Sequence, residues 1–279
     1  MKMCDNLDVS VSGYYDWIDR EPSKREIKNE LLKSLINRFY FKVHNRMAGS
    51  HLITQDIRDY KEFKSVSRTR IAALMHSMGL KCHTQKKFVA TTDSKHGNWV
   101  ADNLLNREFN PSAPNQKIAG DITYIRVGTE WVYLSMFLDL YSRKIVGWDL
   151  SKTLEAESSC MALKKYYYKC NPGKGVMIHS DRGIQYTSAE FRKVLKDNSA
   201  IQSMSRKGNC WDNACSESFF HTLKSRLTHH RRYNTLKELN RDLYWYIEIY
   251  YNRVRKHSAN NWLTPIEMEN RFYSSRNTA

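Results

Sequence analysis

The run Trp131-Val-Tyr-Leu-Ser-Met-Phe-Leu138 is nearly continuous apolar, as a strand buried on both faces must be, and it sits between two other extended runs. Before it, Asp121-Ile-Thr-Tyr-Ile-Arg-Val127 is rich in β-branched and aromatic residues; after it comes Lys144-Ile-Val-Gly-Trp-Asp-Leu150. The connections Gly128-Thr-Glu130 and Asp139-Leu-Tyr-Ser-Arg143 are short. A parallel crossover needs about a dozen residues, so the three runs can pair only as an antiparallel meander. Everything downstream has to be built on that sheet.

The following pattern alternates. A helix is predicted from Leu154 to Cys170, stopped by Asn171-Pro-Gly173, and a fourth strand from Val176 to His179. Thr187-Ser-Ala-Glu190 reads as a capping box heading a helix to Asp197, and Ile201 to Ser205 as a fifth strand. The order β-β-β-α-β-α-β describes an α/β fold: a ribonuclease-H-like mixed five-stranded sheet flanked by helices. Asp212 or Asn213 can cap a helix reaching Leu227, and Thr235-Leu-Lys-Glu238 and Thr264-Pro-Ile-Glu267 are two further boxes.

Ahead of the sheet the periodicity is helical. Helices are predicted from Arg25 to Val43, from Thr54 to Phe63, and from Ser65 or Ser67 to a stop at Gly79. With Arg68 and Arg70 near the start of the third, this small all-α region resembles a helix-turn-helix reader of DNA, or equally three helices packed without one. The stretch between reads as a linker containing Lys86-Lys87, with a helix over Trp99 to Phe109. The divisions are an N-terminal segment 1–24, the helical region 25–80, a linker 81–111, a catalytic domain 112–272 and a tail 273–279.

Lys and Arg exceed Asp and Glu by 16, which points to a polyanionic partner, nucleic acid first. Aromatic residues at 12% supply core material and exclude a disordered basic tail. No run approaches the roughly 20 apolar residues of a membrane span, and the first residues do not read as a secretory leader. A cytoplasmic setting with reduced thiols is expected. The cysteines include no C-x-x-C pair, and Cys82-His83 with His76 lacks a second thiolate at zinc spacing.

The fourth strand runs into His179-Ser-Asp181-Arg-Gly183-Ile-Gln185-Tyr186. By itself Asp181 reads as the cap of a turn, with Gly183 letting the backbone bend sharply. In the topology above, however, the first strand lies beside the fourth, which brings Asp121 next to Asp181. Glu217 falls in the first turns of the helix after the fifth strand. Three carboxylates meeting in one place repel one another unless a cation intervenes. Magnesium or manganese takes oxygen ligands of this kind, and a pair of such ions serves phosphodiester chemistry.

Several motifs then coincide in fixed order. Gly120-Asp121-Ile-Thr-Tyr-Ile, Leu138-Asp-Leu-Tyr-Ser-Arg143, His179-Ser-Asp-Arg-Gly183 with Gln185-Tyr-Thr-Ser188, Gly208-Asn-Cys-Trp-Asp-Asn-Ala214 with Glu217-Ser-Phe-Phe220, and Tyr251-Asn-Arg253 with His257-Ser258 resemble the integrase catalytic domain of bacterial insertion-sequence transposases of the second-frame type. Asp181 and Glu217 enclose 35 residues, as in that family's Asp-Asp-Glu triad, and Lys224 matches its basic residue on the same helix. The resemblance implies that Asp121, Asp181 and Glu217 hold two Mg²⁺ or Mn²⁺ ions. The enzyme would cut DNA at the element ends and join a 3′-hydroxyl to target DNA.

It also implies oligomerisation on DNA, help from the upstream-frame product, and a place in the bacterial cytoplasm at the nucleoid. Lys224, Gln185, Tyr186, Arg206, Lys207, Asn209, Arg68 and Arg70 are the expected DNA contacts, and His179 is expected to orient Asp181. The aromatic side of the 235–252 helix is expected in the core rather than under DNA bases. Two alternatives stay open at this point: a ribonuclease-H-like nuclease that cuts without joining, and a silent DNA-binding competitor.

Overall fold

The computed structural model describes residue 4, residues 6–82 and residues 99–276; Lys86-Lys87, His83 and most of the linker lie outside them. The chain forms two compact units, Met1–Cys82 and His83–Ala279.

The first unit is helical. α1 (Val11–Ile18) is short and buries none of its residues. α2 (Lys24–Asn37) starts at a capping box in which Ser23 and Glu26 exchange hydrogen bonds, and continues as a π-helical turn over Arg38–Val43. α3 spans Ser50–Ile57, followed by a separate tight turn at Lys61–Phe63, rather than one helix from Thr54 to Phe63. α4 (Arg68–Ser77) is capped by Ser67, not Ser65, and stops at Gly79 with φ 67°. Leu32, Ile36, Tyr40, Ile53, Ile57, Ile71 and Met75 form its core. Inside it His44 Nε2 meets Asp56 Oδ2 at 2.7 Å, and Cys82 Sγ donates to the Met47 carbonyl at 3.4 Å.

The second unit is built on the five-stranded sheet, in the order β3-β2-β1-β4-β5. β1 (Lys117–Val127), β2 (Glu130–Asp139) and β3 (Ile145–Ser151) pair antiparallel as the short connections demand. β4 (Met177–Ser180) runs parallel to β1, and β5 (Ile201–Met204) parallel to β4. This is the expected ribonuclease-H-like arrangement. α5 (Ala156–Cys170), a single turn α6 (Ile184–Thr187) and α7 (Ala189–Asp197) cover one face, where Ile118, Phe137, Val146, Leu163, Tyr166, Ile178 and Phe191 make the core. α8 (Ala214–Arg226) packs on β1. α9 (Leu236–Tyr244) passes into a π-helical stretch, Trp245–Val254, that meets β3, and α10 (Pro265–Arg276) closes the unit.

Gly147 sets how closely β3 and α5 approach, since a Cβ there would lie 2.3 Å from the Ala162 carbonyl oxygen. The outer edge of β3 is sealed by Asn252, whose side-chain amide exchanges two 3.0 Å hydrogen bonds with the backbone of Ile145. Tyr246, Tyr250 and Tyr251 are buried, so the aromatic side of that helix is core, as expected.

Three local expectations differ from what forms. Ser188 rather than Thr187 caps α7, because Thr187 closes the preceding turn by donating to the Ile184 carbonyl at 3.1 Å. At α9 Thr235 accepts from the Glu238 N–H, but Glu238 reaches back to Asn234, one residue early. The Thr264 box is complete. Trp99–Phe109 forms bends and turns, not a helix: Asn106 and Arg107 have φ of 43° and 63°, which no right-handed helix accommodates. Ala101 and Leu105 of this stretch are buried, so it belongs to the sheet unit and not to a free linker.

Candidate active site

The register of the parallel pair assembles the site. Ala119 of β1 is level with His179 of β4, so Asp121 within β1 and Asp181 just past the end of β4, each two residues further on, lie side by side. Glu217 is in the first turn of α8, which lies on β1. Asp121 and Asp181 are half-buried and Glu217 is exposed, so the acidic groups run from a floor to a rim open to solvent.

Asp121 Oδ1 accepts the Ile122 N–H at 2.8 Å, and Asp181 Oδ1 accepts the Gly183 N–H at 2.9 Å. Lost hydration first, and the Asp181 carboxylate second, push the Asp121 carboxyl well above the usual carboxylate range; Glu217 adds to this, while the Ile122 N–H and Lys224 oppose it. Burial likewise raises Glu217. Lys224 is buried, its Nζ 4.4 Å from the centre of the Tyr124 ring, and burial lowers it to about 8 although Asp121 pulls the other way.

Gly183 does not serve as a flexible hinge. Its φ of −58° is open to any residue, but a Cβ there would stand 3.0 Å from Asp181 Oδ1 and 2.8 Å from Gln185 Oε1. Space, not backbone freedom, favours glycine, since it leaves room for the ends of the Asp181 and Gln185 side chains.

Among the described residues no group of three His, Cys, Asp or Glu side chains is closed to metal-ligand spacing. The donors nevertheless suit a hard cation: they are all carboxylate oxygens, and burial together with the neighbouring carboxylates holds Asp121 above its ordinary range. Magnesium or manganese, rather than zinc, matches such a set.

The other expected contacts fall out unevenly. Tyr186 is 1% exposed, set edge-on to Phe191, and cannot touch DNA as expected. Gln185 Nε2 donates to the Leu154 carbonyl at 2.8 Å. Lys224 faces Tyr124 and Asp121 rather than solvent. Arg70 forks onto Asn29 Oδ1, tying α4 to α2, while exposed Arg68 meets His51. Lys207 is exposed and Asn209 half-buried.

His179 does not orient Asp181. The Leu104 and Leu105 N–H groups both donate to Ser203 Oγ, so the Ser203 hydroxyl gives its proton to His179 Nδ1, 2.9 Å away, and the ring is protonated on Nε2. Burial lowers its pKa to about 4, which keeps it neutral. Ser203, which His179 supports, joins the 99–110 stretch to the sheet.

One organising residue is absent from the expected set. Asp212, 1% exposed, accepts five hydrogen bonds: from the Arg206 backbone and guanidinium, from Arg107 and from Asn103. Arg206, expected on DNA, is thereby engaged, and Asp212 is not a helix cap. The arginines hold its carboxyl well below the usual range. The local signal was the spacing of Arg206 and Asp212 across a Gly-Asn turn; its partners Asn103 and Arg107 are too distant in sequence to be seen.

Asp212→Ala strands two guanidiniums that remain partly solvated, so the expected loss is about 2 kcal/mol, below the range for a fully buried pair. Thermal melts above pH 5 read it. Asp212 stabilises above the unfolded carboxylate pKa of about 4 and loses that effect as pH falls through its lower folded value, so wild type and variant converge in acid.

Comparison with known proteins decides the family. Residues 111–210 match the integrase core domain, and residues 199–265 match a second integrase core domain model. The chain is 37% identical over 271 residues to the insertion element IS600 uncharacterized 31 kDa protein of Shigella sonnei, covering 97% of this chain and 98% of that one. It is 36% identical over 271 residues to transposase InsF for insertion sequence IS3A of Escherichia coli strain K12, covering 96% and 93%. The chain belongs to the insertion-sequence transposases with an integrase core.

It is therefore an enzyme of the polynucleotidyl transferase type, and the silent-competitor alternative loses its ground. Among solved structures, a simian T-cell lymphotropic virus intasome in complex with PP2A regulatory subunit B56 gamma aligns at TM-score 0.49 and 14% identity, over 85% of this chain and 74% of that chain. The HTLV-2 integrase catalytic core domain in complex with magnesium aligns at TM-score 0.45 and 15% identity, over 57% and 99%. No helix of the described residues is long and apolar enough to cross a membrane.

Proposed function

We propose that Asp121, Asp181 and Glu217 hold Mg²⁺ or Mn²⁺ and that the chain cuts its element's ends and joins the 3′-hydroxyl to target DNA. What supports this reading is that Asp181 and Glu217 lie close enough to Asp121 for their charges to add to the rise that burial gives its carboxyl. Asp121, Asp181 and Glu217 would hold the ions through their carboxylate oxygens. When bound, such ions activate the attacking oxygen and stabilise the leaving one. Gly183 keeps Asp181 Oδ1 pinned by its N–H, and the Ile122 N–H does the same for Asp121 Oδ1, so the carboxylates stay aimed without a cation.

Lys224 opposes the acidic charge at the floor, and the exposed Lys207 and Arg68 are the expected phosphate contacts. DNA ends, target DNA and further copies of the chain are its partners, with the upstream-frame product of the element supplying end recognition, in the bacterial cytoplasm.

The test is strand transfer with a pre-cut duplex of the element's own end, bearing a free 3′-hydroxyl, with Mg²⁺ and then with EDTA. Joined product that disappears with EDTA is expected. Cleavage of uncut ends with no joined product from the pre-cut end would leave the nuclease reading in its place.

A further inference from the structure

Trp211 is 70% exposed, although Asp212 and Asn213 directly after it are 1% and 6% exposed. The exposure does not come from slack chain. The turn Cys210–Asn213 runs straight into α8, and Asp212 is fixed by the five hydrogen bonds from Arg206, Arg107 and Asn103. At the other end of the loop, Gly208 takes φ 70° and the Asn209 N–H closes on the Arg206 carbonyl at 3.2 Å. A large aromatic side chain is thus held in solvent by a neighbour locked into the protein. Burying such a side chain would be favourable, and holding it out needs a reason.

The surroundings indicate what it meets. Trp211 precedes Glu217 by less than two helical turns, and Lys207 is exposed on the same loop. An exposed indole on a loop that also carries an exposed lysine and leads straight into the helix bearing Glu217 suits a nucleobase. The flat face of any base stacks on an aromatic ring while the lysine takes the adjoining phosphate. We propose that Trp211 stacks on a nucleobase of the DNA end next to the phosphodiester being processed, splaying it from its partner and fixing the strand over the acidic triad. The proposal rests on the transposase reading above and deepens it.

The experiment uses a pre-cut duplex of the element's end with 2-aminopurine as the terminal base, bound at low salt in EDTA by the full-length wild type, Trp211→Ala and Trp211→Phe. Stacking on the indole is expected to quench the probe in the wild-type complex. Trp211→Ala should return the probe's fluorescence to that of the free duplex end and weaken binding roughly five- to 100-fold, with Trp211→Phe in between. Because the side chain is exposed, circular dichroism melts of all three should coincide.

If Trp211→Ala keeps both quench and affinity, the proposal is overturned, whatever the strand-transfer assay shows. If the variant instead lowers the oligomeric state in sedimentation without DNA and leaves the quench unchanged, Trp211 belongs to a protein interface and the proposal is equally overturned. Failure of the transposase reading is separate, since it shows as absent joining by the wild type in Mg²⁺.

Discussion

Asp121→Asn is expected to lower metal-dependent cleavage and joining by at least about 10³-fold, the effect of losing several kcal/mol of metal-derived stabilisation, while making the metal-free protein more stable at neutral pH. The two effects have one cause. Asp121 sits where hydration is poor and Asp181 and Glu217 repel its charge, so its folded pKa lies well above its unfolded value of about 3.9. Between those two values the folded state binds the extra proton, and stability falls as pH rises through that window.

The amide removes the proton-linked loss. Melts in EDTA should therefore show the variant gaining on wild type from pH 4 upward and levelling off above the folded pKa. Lys224 is not stranded by the change: burial already brings it to about 8, and without Asp121 it sheds its proton more readily. A variant less stable than wild type at every pH would mean that Asp121 is a structural carboxylate, and retained joining would remove it from the triad.

Gly147→Ala carries the second large effect, on folding. The added Cβ would be 2.3 Å from the Ala162 carbonyl oxygen and 3.1 Å from Tyr166 Cβ, and the first of these is helix backbone that cannot rotate aside. β3 and α5 would have to separate, opening the core around Val146, Leu163 and Tyr166. Overpacking of this kind costs about 3 kcal/mol, which for a unit of this size lowers the melting temperature by roughly 6–12 °C. Gly173→Ala is the matched control, since nothing lies within 4 Å of its added Cβ, and it should melt with wild type. Equal melting of Gly147→Ala would show that the strand–helix spacing is soft.

Much of this was open to reading along the chain, for reasons that can be traced residue by residue. The meander follows from two connections too short to cross over, and the pairing of Asp121 with Asp181 from the parallel register of β1 and β4. The box at Thr264 involves partners three residues apart, so local chemistry suffices. Thr187 failed as a cap because the preceding turn claimed its hydroxyl. The Trp99–Phe109 helix failed because Asn106 and Arg107 turn left-handed where the stretch packs against β5 through Ser203.

The placing of Asp121 beside Asp181 was legible from the sequence by itself, because strand order and register follow from hydrophobic period and loop length; Glu217 joined them through its motif. What surrounds the triad was decided only by the tertiary structure. Tyr186 went inward, His179 turned to Ser203, Arg206 closed on Asp212, and Lys224 came to rest over Tyr124. Each of those outcomes depends on which polar groups finish buried together, and groups a hundred residues apart meet only after the sheet and its helices have closed.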